Sequence, residues 1–483
     1  MATDQESPRA GDPLYEGYRR ARILHWDGLG AGGASRAGAY YHDRLKTVFQ
    51  FLVPPGKRVL EVGSGRGDLL ASLRPARGVG VDFSEKMVEE ARRRHADLLF
   101  EVQDASDLHF DERFDYVILS DVANDLWDVQ RALERLHPIC GPRTRIVINH
   151  YNILWRWPLG LVRRLGLAAP LLPQNWLSAD DVSNLLRLAG FEVVKEWDEV
   201  LLPLSVPFVS TLANRVLVKL PFLRRLGLAH FVVARPLRPP READSQRVSV
   251  IVPARNEAGH IDQIVARTPE MGAGTEIIFV EGGSTDHTYE VIEQAIAANP
   301  QRDMRLIRQS GKGKGDAVRA GFAAASGEVL MILDADLTVP PEDLTRFYDT
   351  LASGLAEFVN GVRLVYPMEE HAMRFLNLLG NKFFSAAFTW LFGQPIKDTL
   401  CGTKVLRRSE YEEIASRRAY FGSIDPFGDF DLLFGATLLN LRILDMPVRY
   451  RERTYGTTNI SRWAHGWLLL RMLVLGAKRL KFV

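Results

Sequence analysis

The chain has 483 residues, of which 46% are hydrophobic and 25% charged, and its formal net charge is +2 at pH 7. A chain of this length is too long for one ordinary core, so the composition predicts a globular protein of two domains. The near-neutral charge excludes a chain-wide attraction to nucleic acid. Two cysteines, Cys140 and Cys401, exclude a disulfide scaffold and favour a reducing, cytoplasmic compartment.

The N-terminal stretch MATDQESPRAGDP lacks the apolar core of a secretion signal, and we predict a leader and an N-terminal helix over residues 1–39. Elsewhere, no uncharged apolar run reaches the roughly 20 residues that cross a bilayer. The nearest approach, from Phe383 to Ile396, is shorter than that. We therefore predict that the chain does not span a membrane.

Apolar strand-like runs alternate with helical patterns over residues 40–236. The runs are RVLEVG, GVGVDF, FDYVILS, TRIVIN, FEVVKEWDEVL and HFVVARP. Such alternation is typical of a doubly wound α/β sheet covered by helices. This range is predicted to be the first domain.

A proline-rich, charged stretch, RPLRPPREADSQ, follows and predicts an interdomain linker over residues 237–246. A second strand series then begins with VSVIVPARNE, EIIFVEGGS, MRLIRQ and EVLMILDADL. The second α/β domain is predicted over residues 247–460, and a basic amphipathic segment over 461–483.

In the first domain, the stretch VLEVGSGRGDLL places Gly63, Gly65 and Gly67 between a strand and the start of a helix. Glycines permit a tight turn and close approach of a ligand, and the helix start offers free N–H groups. A glycine turn alone often only joins a strand to a helix. Carboxylates also follow the next three strands, where open α/β sheets bind ligands: Asp82, Asp104 and Asp121.

These motifs resemble those of the class I S-adenosylmethionine-dependent methyltransferases, over the range from Arg58 to Asn149. The resemblance implies a Rossmann-like sheet that binds S-adenosyl-L-methionine. It places Glu61 and the three glycines beside the methionine part, Asp82 at the ribose, and Asp104 with Ala105 at the adenine; Asp121 completes the predicted cofactor-binding set. A reductase is disfavoured because the spacing E-x-G-x-G-x-G departs from the dinucleotide pattern G-x-G-x-x-G.

The methyl acceptor is not indicated by any motif. The candidates for a base are His25, Tyr40, Tyr41, His42, His150 and Tyr151. Each is read as a packing or surface residue. A non-catalytic domain that binds the cofactor, or only docks, is the alternative for this half of the chain.

In the second domain, the stretch VLMILDADL ends an apolar run with Asp334 and Asp336. Paired carboxylates at a strand end suit Mg²⁺ or Mn²⁺ bridging the oxygens of a diphosphate. The alternative for an isolated D-A-D is a solvated turn that caps the following helix, PPEDLTRFYDTL. Glycines around Lys312 and Lys314 in GKGKGDAVRAGF favour the functional interpretation, because they present the lysines to an anion.

The whole set resembles the family 2 inverting glycosyltransferases of the GT-A fold, and among them the polyprenyl-phosphate sugar transferases typified by dolichyl-phosphate mannose synthase. The resemblance runs from Val248 to about Ile460. It implies a nucleotide-sugar pocket lined by Pro253, Asn256, Glu257, Glu281, Gly283, Ser284 and Lys314. It also implies that Asp334 and Asp336 bind the metal and act as catalytic residues.

Arg363 and Lys404 match positions where the family keeps cations near the acceptor phosphate, and Asp398 begins the motif that contains Lys404; these three residues complete the predicted catalytic set. The sequence departs from the family at three places: Glu281 replaces the usual aspartate, and Thr338 and Lys404 replace glutamine and arginine. Lysine cannot make the bidentate phosphate contact of arginine, so the sugar and the acceptor both stay open. The stretch NISRW lacks the glutamine of processive synthases, and processivity is rejected.

The implied partners are a UDP- or GDP-sugar donor and a lipid-phosphate or glycan acceptor, with no nucleic acid. A lipid phosphate is already an anion and needs no base, whereas a hydroxyl acceptor needs one, for which Asp398, Asp429 and Asp431 are candidates. Transfer to a soluble or polymeric sugar acceptor is the alternative.

Charge distribution predicts contact with an anionic membrane surface. No acidic residue occurs from Arg135 to Ala179 or from Val200 to Arg241, and the tail GWLLLRMLVLGAKRLKFV is basic without an acid. Ordinary core helices with basic ends are the alternative for the tail. We predict a bifunctional, peripheral protein at the inner face of the cytoplasmic membrane, engaged in cell-envelope glycan synthesis.

Overall fold

A computed structural model of the chain describes residues 12–30, 36–165, 172–238, 245–363, 365, 375–420, 428–450, 455 and 462–482. The chain divides into two compact units, one of Met1–Leu237 with Phe482–Val483 and one of Arg238–Lys481. Most of the predicted linker and the N-I-S of the NISRW stretch lie outside the described residues. The domain boundaries drawn from the sequence stay predictions.

The first unit contains a seven-stranded mixed sheet in the order β3-β2-β1-β4-β5-β7-β6. Its strands are β1 (Arg58–Val62), β2 (Arg77–Asp82), β3 (Leu99–Val102), β4 (Phe114–Ser120), β5 (Cys140–Tyr151), β6 (Phe191–Glu199) and β7 (Ala229–Pro236). The first five strands are parallel, and β7 runs antiparallel to both β5 and β6. The carboxyl ends of β1 to β5 therefore lie along one edge of this sheet.

The helices of the first unit precede and connect its strands. They are α1 (Pro13–Gly30), α2 (Arg36–Leu52), α3 (Asp68–Ser72), α4 (Glu85–Arg94), α5 (Val129–Glu134), α6 (Arg156–Arg164), α7 (Ala179–Leu188) and α8 (Val209–Arg215). Ser84 caps α4 by accepting from Met87 N, and Ser178 with Asp181 forms a capping box at α7. Apolar side chains pack on both faces of the sheet, as expected for a doubly wound fold.

The second unit contains another seven-stranded sheet, in the order β10-β9-β8-β11-β13-β12-β14. Its strands are β8 (Val248–Ala254), β9 (Thr275–Glu281), β10 (Asp303–Arg308), β11 (Val329–Ile332), β12 (Phe358–Val362), β13 (Lys404–Arg407) and β14 (Ile443–Pro447). Strands β8 to β11 are parallel, whereas β13 is inserted antiparallel between β11 and β12. This insertion brings Lys404 and the loop before it beside the end of β11.

The helices of the second unit cover this sheet. They are α9 (Ile261–Arg267), α10 (Thr288–Ala298), α11 (Lys314–Ala324), α12 (Leu344–Ala352), α13 (Phe375–Phe392), α14 (Arg408–Ser416), α15 (Asp429–Leu438) and α16 (Arg462–Gly476). The fold class predicted from the sequence, two tandem α/β domains, is confirmed by the two sheets. Within the described residues, no helix combines the length and the apolar character needed to cross a bilayer.

Candidate functional site

The predicted glycine turn lies between β1 and α3. Gly63, Gly65 and Gly67 have φ angles of 72°, 50° and 75°, a region that side chains with a Cβ rarely adopt. A Cβ added to Gly63 would lie 2.7 Å from Val122 Cγ2, so the turn also packs too closely for a larger residue. At Gly63, only glycine can both adopt a positive φ and fit against Val122.

Two buried carboxylates hold this turn in place. Glu61 Oε2 accepts a hydrogen bond from Leu70 N at 3.0 Å, and burial raises the pKa of Glu61 to about 8. Asp82 accepts from Gly65 N and from Ser84 N, each at 2.9 Å. Burial raises the pKa of Asp82, although these backbone N–H groups oppose the shift.

A cleft opens at the carboxyl edge of this sheet. Among the predicted residues, Gly63, Asp82, Asp104 and Ala105 line it. Asp104 caps the short helical turn Ala105–Asp107 by accepting from Ser106 N at 2.8 Å. The structure therefore brings the predicted ribose and adenine residues to one cavity, whereas Glu61, Gly65 and Gly67 form the turn that supports it.

Asp121 lies beside the cleft rather than on its described lining. Its backbone φ is 56°, and its Oδ1 accepts from the hydroxyl of Tyr41 at 2.9 Å and from Asn149 Nδ2 at 2.6 Å. Burial raises the pKa of Asp121 to about 7, although both hydrogen bonds oppose the shift. Tyr41 is thus a buried partner of Asp121, in agreement with the packing role read from the sequence.

Helix α1 supplies cleft residues that the motif analysis missed. Tyr15, Tyr18, Arg19 and Arg22 all line the cleft, together with Trp127 from the other side. The hydroxyl of Tyr15 donates to Asp104, and the ring of Tyr18 meets Trp127 edge-on with centroids 4.9 Å apart. The sequence did carry a signal, because these four positions follow the i, i+3, i+4, i+7 spacing of one helix face.

In the second unit, the loops after β8 and β9 are joined by hydrogen bonds among predicted pocket residues. Asn256 N donates to Ser284 Oγ at 3.1 Å, and Asn256 Oδ1 accepts from Thr285 N at 2.8 Å. Ser284 N donates to Glu281 Oε1 at 2.5 Å. The glutamate that replaces the usual aspartate therefore shapes the turn that follows its own strand.

The remaining predicted residues of this pocket lie in the same loops. Glu257 Oε2 contacts the ring nitrogen Nδ1 of His260 at 2.9 Å, and Glu257 N donates to Thr288 Oγ1 at 2.9 Å. Pro253 belongs to β8, and Gly283 has a φ of 72°. The structure thus gathers the predicted nucleoside-binding residues at the carboxyl ends of two adjacent strands.

The two aspartates of the D-x-D follow β11 directly, and neither caps α12. Lys314 Nζ lies 2.5 Å from Asp334 Oδ1, and Asp336 Oδ1 accepts from Thr338 Oγ1 at 2.7 Å. A Cβ added to Gly402 would overlap both the Asp334 carboxylate and the Lys314 ammonium. Gly402, which the motif analysis did not single out, is therefore required for this close approach.

A second ion pair, Lys404 with Asp429, is buried and lies near the first. Lys404 Nζ is 3.2 Å from Asp429 Oδ1 and donates to Cys401 O at 2.5 Å. Burial lowers the pKa of Lys314, but the attraction of Asp334 and Asp429 exceeds this effect and the net shift is upward. Asp429, one of three carboxylates proposed as a base, is therefore part of the D-x-D site.

Arg363 and Asp398 form a pair of their own. The guanidinium bonds both carboxylate oxygens, with Nε to Oδ2 at 2.7 Å and Nη2 to Oδ1 at 2.9 Å. Burial raises the pKa of Asp398, but Arg363 more than offsets it, and the net pKa is lowered. Asp431, the third base candidate, pairs with Arg418 at 2.6 Å.

The carboxylates of the D-x-D are oxygen donors of the kind that Mg²⁺ and Mn²⁺ prefer. Within the described residues, no group of three or more His, Cys, Asp or Glu side chains is arranged to hold a metal. Two carboxylates beside a lysine suit a hard cation that takes its other ligands from phosphate and water. The residues present therefore fit the metal only together with a diphosphate.

Each unit is an α/β domain with polar side chains at the carboxyl ends of its strands, where open α/β sheets bind ligands. Residues 35–196 match the family model described as a methyltransferase domain, and residues 249–415 match glycosyl transferase family 2. The chain therefore joins an N-terminal methyltransferase domain to a C-terminal family 2 glycosyltransferase domain. Both resemblances drawn from the motifs are confirmed, and the chain is an enzyme.

The relatives align with about half of this chain. Glycosyltransferase AglJ of Haloferax volcanii is 28% identical over 233 residues, which cover 48% of this chain and 72% of that protein. Polyprenol monophosphomannose synthase of Mycolicibacterium smegmatis is 28% identical over 223 residues, covering 45% and 82%. Magnesium protoporphyrin IX methyltransferase from Synechocystis is 19% identical, covers 46% of this chain and 94% of its own, and has a TM-score of 0.31.

Proposed function

We propose that the C-terminal domain is a metal-dependent, inverting hexosyltransferase that moves a sugar from a UDP- or GDP-sugar to a polyprenyl phosphate or a lipid-linked envelope glycan. The observation that carries this proposal is the Lys314–Asp334 pair against Gly402 at the end of β11. It lies in a domain of glycosyl transferase family 2, and one relative is a polyprenol monophosphomannose synthase.

Different residues of the site would bind the metal, stabilise negative charge and bind the nucleoside during the transfer. Asp334 and Asp336 would hold Mg²⁺ or Mn²⁺, which when bound neutralises charge on the departing nucleoside diphosphate. Lys314, whose pKa is raised overall, keeps a positive charge at the same place across the neutral pH range. The loops with Asn256 and Glu281 would fix the nucleoside.

The acceptor determines whether a base is needed. A lipid phosphate attacks as an anion, and no proton has to be removed. For a hydroxyl acceptor, Asp429 is the favoured base among the three carboxylates, because its charge acts on Lys314 and it therefore lies beside the D-x-D. Lys404 then holds Asp429 in place through their buried ion pair.

We further propose that the N-terminal domain binds S-adenosyl-L-methionine in its cleft, which when bound supplies an electrophilic methyl group. Asp82 would accept from the ribose hydroxyls with the oxygen lone pairs that Gly65 and Ser84 leave open. Asp104 and Ala105 would border the adenine, and Trp127 would close the cleft against α1. The methyl acceptor is left open.

We place the protein at the inner face of the cytoplasmic membrane as a peripheral enzyme. In support, α16 buries Leu469 and Met472 but exposes Trp467 and Val474, 60% and 62% accessible, without any acidic residue. The helix thus presents apolar side chains beside basic ones, a pattern suited to the surface of anionic lipid.

The test for the C-terminal domain is transfer of labelled sugar from a panel of UDP- and GDP-sugars into organic-extractable polyprenyl phosphate, with Mg²⁺ or Mn²⁺. Asp334→Asn should abolish the label in lipid, and Asp349→Asn, an exposed carboxylate on α12, should leave it unchanged. Label lost from the donor but kept in the aqueous phase would retain the D-x-D site and indicate a soluble or polymeric acceptor. Transfer unchanged by Asp334→Asn would overturn the proposal.

The test for the N-terminal domain is calorimetric titration of the chain with S-adenosylmethionine. Binding that weakens in Asp82→Asn but not in Asp43→Asn, a carboxylate 74% exposed on α2, is the expected result. If the native chain does not bind the cofactor, the domain is a docking module.

A further inference from the structure

Two segments of the methyltransferase domain emerge from the same end of its sheet. Residues 152–165 follow β5 directly, and residues 200–228 connect β6 to β7. Tyr151 at the end of β5 is paired with Ala229 at the start of β7, and Ala229 is paired with Glu199 at the end of β6. Both segments therefore begin at the carboxyl edge, where the cofactor cleft also opens.

Hydrogen bonds hold these segments side by side. Asn152 N donates to Leu228 O at 2.8 Å, and Asn152 Nδ2 donates to Arg225 O at 3.2 Å. Trp155 Nε1 donates to Leu226 O at 2.9 Å. The two segments therefore form one surface, which we call the β5–β7 surface.

Large apolar side chains project from this surface into solvent. Trp157 is 82% exposed, Phe208 90% and Phe222 94%, and Leu154, Leu161 and Leu212 are each more than half exposed. Phe208 also has a φ of 61°, a strained value for an aromatic residue. Phe208 thus combines a strained backbone with an exposed side chain, and no burial within this unit compensates for the strain. This combination points to contact with another molecule.

The charge of the β5–β7 surface has one sign. Arg156, Arg164, Arg224 and Arg225 are exposed beside these apolar side chains. Neither segment contains an aspartate or a glutamate. The surface of an anionic bilayer offers acyl chains to apolar side chains and phosphate groups to arginines. Exposed aromatic and aliphatic side chains among arginines, without any acidic residue, match such a surface.

We propose that the β5–β7 surface of the methyltransferase domain binds an anionic lipid bilayer, with Trp157, Phe208 and Phe222 in the headgroup region and the arginines on lipid phosphates. A bilayer is favoured over a protein partner because both segments lack aspartate and glutamate throughout, so the whole surface attracts a continuous layer of anionic headgroups. The binding directs the carboxyl edge of this sheet, and its cleft, toward the membrane. The inference rests on the first unit alone and does not depend on the sugar acceptor.

Fluorophores at single introduced cysteines test this contact in the full chain. Cys140 and Cys401 are both buried, so a thiol-reactive, environment-sensitive dye would label Phe208→Cys or Phe222→Cys selectively. Leu188→Cys, at a position 59% exposed on α7, is the matched control. With vesicles of phosphatidylcholine and phosphatidylglycerol, the labels at 208 and 222 should shift to shorter wavelength and be quenched by nitroxide lipid. The label at 188 should do neither.

The arginines provide a second measurement. Each is expected to strengthen binding by about fivefold, so Arg224→Gln with Arg225→Gln should raise the half-saturating lipid concentration of the label at 222 by more than tenfold. Arg93→Gln with Arg94→Gln on α4 should leave it unchanged.

Three results would overturn the proposal. In the first, the labels at 208 and 222 show neither a wavelength shift nor quenching although the chain floats with the vesicles, which would place the membrane contact elsewhere. The second is no flotation at all. The third is a shift without lipid that grows with protein concentration, which would indicate a second copy of the chain. The labels report position rather than transfer, so Asp334→Asn should not alter them, and failure of the proposed glycosyl transfer is distinguished from failure here.

Discussion

Replacing Gly402 by alanine tests whether Lys314 and Asp334 must approach each other for transfer. A Cβ at Gly402 would lie 2.5 Å from Asp334 Oδ1 and closer still to Asp334 Oδ2 and Lys314 Nζ. Ordinary van der Waals contact begins at 3.4 Å, so Asp334 Oδ1 must retreat by about 0.9 Å, which is 3.4 Å less 2.5 Å, and Asp334 Oδ2 must retreat further. A misplacement of about 1 Å at a reacting centre can lower a rate by roughly 100-fold.

The fold should survive this change, because the overlapping atoms are the ends of flexible side chains that can move. The assay is the initial rate of labelled sugar transfer, compared with the thermal unfolding temperature of the same preparation. Gly380→Ala on α13, where an added Cβ meets nothing within 4 Å, is the control. Equal rates for the Gly402→Ala and Gly380→Ala proteins would refute the geometric argument, whereas a large fall in unfolding temperature would show that Gly402 is needed for packing.

Three further predictions concern burial and ion pairing. Burial raises the pKa of Glu61 from 4.5 to about 8. The folded state therefore holds a proton that the unfolded state releases, and the free energy of unfolding falls as pH rises from 4.5 to about 8. Thermal melts at graded pH should show that Glu61→Gln reduces this fall. Trp127→Ala should weaken S-adenosylmethionine binding about tenfold by calorimetry, because two tyrosines of α1 lose their edge contacts, while Leu188→Ala should not. Asp398→Ala removes the carboxylate that pairs with the guanidinium of Arg363, which is only 15% exposed, and should cost about 3 kcal/mol in urea unfolding; an unchanged midpoint would contradict this.

Sequence reasoning performed best where chemistry lies next to a strand end. The glycine turn follows β1, Asp82 ends β2, and Asp334 follows β11, so the position of each residue along the chain already predicts the edge of the sheet to which it belongs. Parallel strands align their carboxyl ends, and this geometry converts separated motifs into one site. The fold class and both domain types followed from these patterns.

The motifs were least informative where a side chain finds a partner from a distant segment. Lys404 and Arg363 were assigned to an acceptor phosphate as single cations, yet the structure pairs them with Asp429 and Asp398. Their partners are contributed by α15 and by the loop before β13, and only the antiparallel insertion of β13 determines that neighbourhood. Whether either cation also contacts substrate stays a prediction.

The sequence by itself determined the local chemistry of this protein: glycines where the backbone must turn with positive φ, carboxylates at strand ends, and apolar runs long enough for strands. These features depend on neighbours within a few residues, so they can be read along the chain. Only the tertiary structure decided that α1 closes the cleft over Asp104, that Gly402 admits Lys314 to Asp334, and that residues 152–165 and 200–228 form one surface. Each of these contacts joins segments far apart in sequence, because strand order and chain crossovers, rather than residue spacing, set which side chains meet.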